Sequence, residues 1–106
     1  MRIVQIIDGI PSETIRLVGT DVAQSLSTTV YQQFGRYAKA LLLTVESATA
    51  RIAFGGEVPT QGGSAIGHLL YVGDILELES LHCIQSLQFI NGVSGQTAVL
   101  QLTFTF

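Results

Sequence analysis

The sequence of 106 residues predicts a single all-β domain (1–106), an antiparallel β-sandwich or barrel of the jelly-roll or Greek-key type with a C-terminal hairpin. Three observations predict this fold class. Ten threonines and many valines and isoleucines favour strands over helices. The apolar segments are short and are separated by eleven glycines. The last segment alternates between apolar and polar side chains up to the final residue.

Five short strands are predicted in the first half of the chain, with glycine and aspartate residues between them. Their ranges are residues 2–7, 13–18, 28–34, 37–46 and 48–54. Residues 21–26 could instead form one helical turn with Asp21 as its cap. The N-terminal stretch shows no secretory pattern, and no apolar run approaches the ~20 residues of a transmembrane helix. We therefore expect no membrane partner.

A long loop and an alternating strand open the second half of the chain. Residues 55–67 contain five glycines and Pro59, which exclude a helix and make a loop that is long for a compact domain. Residues 74–79 alternate between apolar and acidic side chains, so we predict a strand with its leucines inward and its glutamates outward.

The two final strands, residues 84–90 and 97–106, are predicted to form the C-terminal hairpin. Asn91-Gly92 and Gly95 supply the positive-φ positions that tight turns need. One face of the last strand is apolar and is predicted to be buried, namely Ala98, Leu100, Leu102, Phe104 and Phe106. The opposite face is predicted to point outward, with Thr97, Val99, Gln101, Thr103 and Thr105.

Charged residues are scarce and unevenly placed along the chain. They make up 12% of it, against a usual ~25%, and the formal net charge is −3 with a pI near 5.1. This balance argues against a nucleic-acid partner, which requires a basic patch on the protein. A hydrophobic fraction of 47% excludes a disordered chain. All five basic residues lie in the first half, and no charged side chain follows Glu79.

The charge-poor C-terminal half predicts a contact surface. A monomer normally exposes many charged side chains, whereas protein interfaces are depleted in Lys, Glu and Asp. We therefore predict a homo-oligomer, a trimer or larger, whose interface combines the glycine loop with the outer face of the last strand. The predicted interface residues are Thr60, Gln61, Val99, Gln101, Thr103 and Thr105.

No residue pattern in the chain predicts catalysis, a metal site or a cofactor. His68 and His82 stand fourteen residues apart, without the clustered ligands of a metal site. Cys83 is the single cysteine, and neighbours in a strand point to opposite faces, so only His68 could serve as its base. We interpret Glu77 and Glu79 as the solvated face of a strand rather than as a glycosidase pair. The chain is expected not to be an enzyme.

The second half also contains an ordered series of short segments. They are residues 50–56 (ARIAFGG), 59–60 (PT), 67–70 (GHLL), 73–76 (GDIL), 87–90 (LQFI) and 98–104 (AVLQLTF). Over residues 48–106 this order resembles small structural proteins of tailed bacteriophage virions, of the head decoration or head–tail type. The resemblance implies an all-β fold and self-assembly without catalysis. It further implies docking on other virion proteins, at the capsid or the head–tail neck, after synthesis in the host cytoplasm.

Two other functions remain open at the level of sequence. A ligand-binding sandwich, for example for carbohydrate, would use residues 55–67 with Tyr31 or Tyr71 as a stacking platform. Sugar sites usually contain Trp and several Asn or Asp residues, whereas this chain has no Trp and a single Asn. A small enzyme would use Cys83 as nucleophile with His68 as its base. We favour assembly over both.

Overall fold

A computed structural model describes residues 9–106, so the strand predicted over residues 2–7 lies outside the described part. The described chain forms short strands and two short helices, and all strand pairings are antiparallel. The elements are β1 (Ile15–Val18), β2 (Gln24–Ser25), α1 (Thr28–Tyr31), β3 (Gln32–Gln33), β4 (Arg36–Tyr37), β5 (Ala40–Glu46), β6 (Ala50–Ala53), β7 (His68–Leu70), β8 (Ile75–Leu78), α2 (Leu81–Ser86), β9 (Gln88–Asn91) and β10 (Val99–Thr105).

The strands form two four-stranded sheets. Sheet 1 has the order β1-β10-β5-β8, and sheet 2 has the order β2-β9-β6-β7. Strands β3 and β4 pair only with each other and form a small separate hairpin. The predicted fold class, an all-β antiparallel sandwich, is confirmed.

One apolar cluster joins the inner faces of the two sheets. Leu100, Leu102 and Phe104 of β10 are fully buried in it. Ile52 of β6 and Phe89 of β9 enter the same cluster from sheet 2. The prediction for the inner face of the last strand is therefore confirmed, because its alternation matches the two-residue period of a strand that has one face in the core.

The predicted C-terminal hairpin is wrong, because β9 belongs to sheet 2 and β10 to sheet 1. Asn91 is buried at the end of β9, and its Oδ1 accepts a hydrogen bond of 2.9 Å from the backbone N–H of Ala98. Residues 92–98 therefore cross from one sheet to the other. Gly92 is required here for a close approach rather than for a turn, since an added Cβ would lie 2.4 Å from the Thr49 Oγ1.

Two predicted strands begin as helices in the structure. Residues 84–87 belong to α2 and its C-cap, not to a strand, and strand β9 starts only at Gln88. The Ser80 side chain accepts the N–H of Cys83 at 3.4 Å and caps this helix. Residues 28–31 form α1, and only Gln32–Gln33 of the predicted strand 28–34 is extended. In both places a short helix turns the chain where a strand was predicted.

The other strand predictions are confirmed within shorter bounds. Strand β1 lies inside the predicted range 13–18, β6 inside 48–54 and β8 inside 74–79. The predicted strand 37–46 is divided between β4 and β5, since Ala38 N–H turns to bond the carbonyl of Tyr31. Residues 21–26 do not form a helical turn, and Gln24–Ser25 pairs with β9 instead.

Truncation of the core should destabilise the fold strongly. We expect Phe104→Ala to lower the free energy of unfolding by ~3–5 kcal/mol, because the ring is completely buried between the sheets. Urea denaturation followed by circular dichroism measures this change. Gln101→Ala, on the half-buried outer face of the same strand, is the control and should change stability by no more than about 0.5 kcal/mol. A loss below about 1 kcal/mol for Phe104→Ala would contradict the packing described.

Candidate interaction surfaces

The outer face of sheet 1 is four strands wide and carries its charges toward the margins. One row across it runs Arg16, Gln101, Thr44 and Ile75, in the register of the four strands. The next row contains Thr103, Leu42 and Glu77. Because the central strands β10 and β5 contribute uncharged side chains to both rows, the middle of this face has the composition of a protein interface.

Two of the predicted interface residues on β10 are available at this face and two are covered. Gln101 and Thr103 are half-buried, whereas Val99 is 6% exposed and Thr105 is 9% exposed. Thr105 is covered because Gly9 and the Lys39 side chain lie against it. The predicted outer face of β10 points away from the core, but only Gln101 and Thr103, in the middle of the strand, are partly exposed to solvent.

Hydrogen bonds between side chains order the middle of the face. The hydroxyls of Thr103 and Thr14 lie 2.7 Å apart, and Gln101 Nε2 donates to Glu46 Oε2 at 3.4 Å. These contacts join β10 to its two neighbours in the sheet. The polar side chains are thereby held in place and present a fixed pattern of donors and acceptors.

Thr60 and Gln61 belong to a different surface from the β10 residues. Gln61 Nε2 donates to the backbone carbonyl of Asn91 in sheet 2 at 2.8 Å and to Asp21 Oδ1 at 3.0 Å. Thr60 is bound within the glycine loop, where its Oγ1 accepts the N–H of Ile66 at 2.8 Å. The six predicted interface residues therefore do not form one continuous patch.

The glycine loop, residues 55–67, is bound to sheet 2 near its C-terminal end. Pro59 is fully buried, and Arg51 Nη1 donates to the carbonyl of Gly67 at 3.0 Å. Gly67 has a φ of +118°, and an added Cβ would lie 2.7 Å from the Ile52 carbonyl oxygen. These contacts fix the position of Gly67 against β6.

Asp21 is the centre of a hydrogen-bond network that the sequence did not reveal. Its carboxylate accepts hydrogen bonds from Gln61 Nε2, from Asn91 Nδ2 at 3.3 Å and from the Gly95 N–H at 3.2 Å. These bonds, led by that from Gln61, hold the pKa of Asp21 below its ordinary value of 3.8. The partners lie 40 to 74 positions away in sequence, so no local pattern could have identified the network.

A shallow cleft of about 510 Å³ is lined by Cys83 but not by His68, the base considered for it. His82 and Cys83 both line it, together with Phe54, because they lie on α2 and not on a strand as expected. The ring of His68 lies 6.5 Å from that of Phe54. Within residues 9–106 no hydrogen bond joins the Cys83 thiol to an imidazole, and no group of three or more His, Cys, Asp or Glu side chains is placed to hold a metal ion.

The two tyrosines of the proposed stacking platform lie at opposite ends of the sandwich. Tyr31 is only 9% exposed and stacks on Tyr37, so its ring is not available to a ligand. Tyr71 is 60% exposed, at the turn that bonds to Val45 at the other end of β5. The length of β5 from Ala40 to Val45 separates them by roughly 17 Å.

Comparison with known proteins identifies no relative: no protein-family model, no curated protein and no solved structure matches the chain. The resemblance to phage virion proteins therefore gains no support from these comparisons. In the described range 9–106, neither helix has the length or apolar character to cross a membrane.

The Asp21 network should make the stability of the protein depend on pH in acid. Because folding lowers the pKa of Asp21, its contribution is complete above pH 3.8 and is lost as pH falls through the lower pKa of the folded state. We expect wild type to be more stable than Asp21→Asn at about pH 6, and the difference to shrink toward about pH 2. Urea titrations at a series of pH values measure it. A difference that stays constant would contradict this role, since the other carboxyl groups titrate in both proteins.

Proposed function

We propose that this chain is a non-enzymatic structural protein that works by assembly. It associates with further copies of itself and docks on other proteins of a bacteriophage virion, at the capsid or the head–tail neck. The observation that carries the assembly part is the uncharged, hydrogen-bonded middle of the outer face of sheet 1. The phage part rests on the resemblance of residues 48–106, and it places the protein in the virion after synthesis in the host cytoplasm.

The composition of this face supports a contact role. Leu42 and Thr44 of β5 alternate with Gln101 and Thr103 of β10 over the middle, and all four are half-buried. Arg16 on β1 and Glu77 on β8 stand on either side, and Glu46 lies at the end of the central strand β5. A core without charges and a polar rim is the arrangement found in protein interfaces.

The size of the face limits how strong one such contact can be. Four strands at a spacing of about 4.8 Å and about six residues per strand cover roughly 20 by 20 Å. This is about half of the ~800 Å² that each partner contributes to a standard interface. The face alone therefore supports weak pairing, and a stable assembly requires a second contact or many copies.

A carbohydrate-binding function has less support. Tyr31 is buried, and the glycine loop is bound to sheet 2 through Arg51 and Gln61. Tyr71 remains exposed, but it has no second aromatic ring near it among the described ring pairs. No described feature makes a groove of the kind in which sugars stack.

Self-association should be measurable on the purified protein. Sedimentation velocity from about 5 to about 500 µM should show an average mass that rises with concentration, as expected for contacts of this size. Thr103→Lys should reduce it, because it places a charge in the middle of the face. Ser64→Lys on the exposed glycine loop is the matched control and should not.

Two results would contradict the proposal. A wild-type protein that remains monomeric over the whole concentration range would exclude assembly through this chain alone. For the phage part, absence of the chain from purified virus particles of its source, by mass spectrometry, would be decisive. Capsid, terminase or tail genes beside its gene would support that part.

A further inference from the structure

The exposed apolar side chains gather at the two ends of the sandwich. Ten large apolar residues are exposed in the described part, and eight of them lie near one end or the other. Three surround the β3–β4 hairpin, namely Ile10, Phe34 and Tyr37. Five lie on the loops at the far end, namely Val18, Val22, Tyr71, Val72 and Val93. Exposed apolar groups that collect in patches mark contact sites more often than scattered ones do.

The β3–β4 hairpin itself is aromatic and basic, whereas Glu13 and Glu79 are exposed at the same end of sheet 1. Phe34 and Gly35 form its turn with φ values of 56° and 69°. A bulky side chain rarely adopts this left-handed conformation, and Asn or Gly is preferred at such a position. The Phe34 ring is 57% exposed and meets Phe106 edge-on, with ring centres 5.4 Å apart. Arg36 and Lys39 are exposed beside it, and residues 32–39 contain no acidic side chain.

The far end, which we call the acidic end, consists of residues 18–22, 46–49, 71–74 and 92–97. Hydrogen bonds place these four segments together: Gly73 N–H bonds to Val45, Gly92 N–H to Thr49, and Gly95 N–H to the Asp21 carboxylate. The segments contain Asp21, Glu46 and Asp74 but no Lys or Arg. Apolar side chains and negative charge therefore occur together at this end.

The two ends cannot meet within one molecule. The hairpin joins sheet 1 at Lys39, whose N–H bonds to the carbonyl of Thr105, whereas Glu46 lies at the opposite end of β5. The residues of β5 between them span roughly 20 Å at the rise of a strand. The hairpin of one molecule can therefore contact an acidic end only if that end belongs to another molecule.

We propose that the β3–β4 hairpin of one copy docks on the acidic end of a second copy. This inference rests on the proposed self-assembly and specifies its second contact. Burial of Phe34 and Tyr37 against the exposed valines and Tyr71 would remove apolar surface from water on both sides. Arg36 and Lys39 would meet Asp21, Glu46 and Asp74. Contact between two different surfaces of the same chain is head-to-tail, which produces rings or filaments rather than closed dimers.

The opposite charges of the hairpin and of the acidic end are the reason for proposing a second copy of this chain as the partner. The hairpin is the one described segment in which two basic residues flank exposed aromatic rings, and the acidic end is its counterpart in charge and in apolar character. Charges on facing surfaces act over about a Debye length of 10 Å, so no individual ion pair is required. The contact should therefore weaken when the salt concentration is raised.

A charge-swap experiment tests the end-to-end contact on the full chain. Arg36→Glu and Glu46→Lys each place like charges against each other, and each should weaken association about tenfold. Both side chains are exposed, so the folded core is unaffected. Because Glu46 also accepts a hydrogen bond from Gln101 on the outer face of sheet 1, a loss in Glu46→Lys is assigned to the end-to-end contact only when mixing with Arg36→Glu reverses it. When the two variants are mixed in equal amounts, association should return, because every contact then pairs opposite charges. Sedimentation velocity at low salt measures all three samples, with Glu57→Lys on the glycine loop as the control that should behave as wild type.

The outcomes separate this inference from the proposed function. If wild type associates but neither single variant weakens it, the end-to-end contact is wrong while assembly stands. If both variants weaken association and the mixture does not recover it, the two sites do not face each other and the inference is overturned. A wild-type protein that stays monomeric overturns both. Recovery on mixing supports the contact, since a folding defect could not be repaired in this way.

Discussion

The buried amide of Asn91 determines how the two sheets are connected. Its Oδ1 accepts the N–H of Ala98, its Nδ2 donates to Asp21, and its backbone carbonyl accepts a hydrogen bond from Gln61. Its own N–H bonds to the carbonyl of Thr20. Buried polar groups must be paired, so these bonds hold the end of sheet 2, the crossover to sheet 1 and the glycine loop at one point. Gln61, Asp21 and Asn91 thus connect parts of the chain that are far apart in sequence.

The same network also attaches the glycine loop to sheet 2. Gln61 donates to the carbonyl of Asn91 at the end of β9, and Arg51 of β6 donates to the carbonyl of Gly67. On sheet 1, Gln101 and Thr103 remain half-buried in the middle of the outer face.

The two ends of the sandwich differ in the side chains that they expose. Phe34 occupies a left-handed turn position that is unfavourable for a bulky side chain, and its ring is mostly exposed. Strain of this kind persists only where the surrounding structure enforces it. The cleft beside Cys83 shows no such organisation, because its thiol and imidazoles are not joined by hydrogen bonds in the described chain.

The sequence by itself determined the fold class and the inner face of the last strand, since apolar alternation with a period of two depends only on neighbouring residues. It also indicated the outer face at Gln101 and Thr103. It did not determine the helix α2, although Leu81, Ile84 and Leu87 follow a three-residue spacing that is compatible with a helix. Only the tertiary structure decided the path after Asn91 and the position of residues 55–67. A local Asn-Gly pattern is the same in a turn and in a crossover, and the hydrogen-bond partners that distinguish them lie up to 74 positions away.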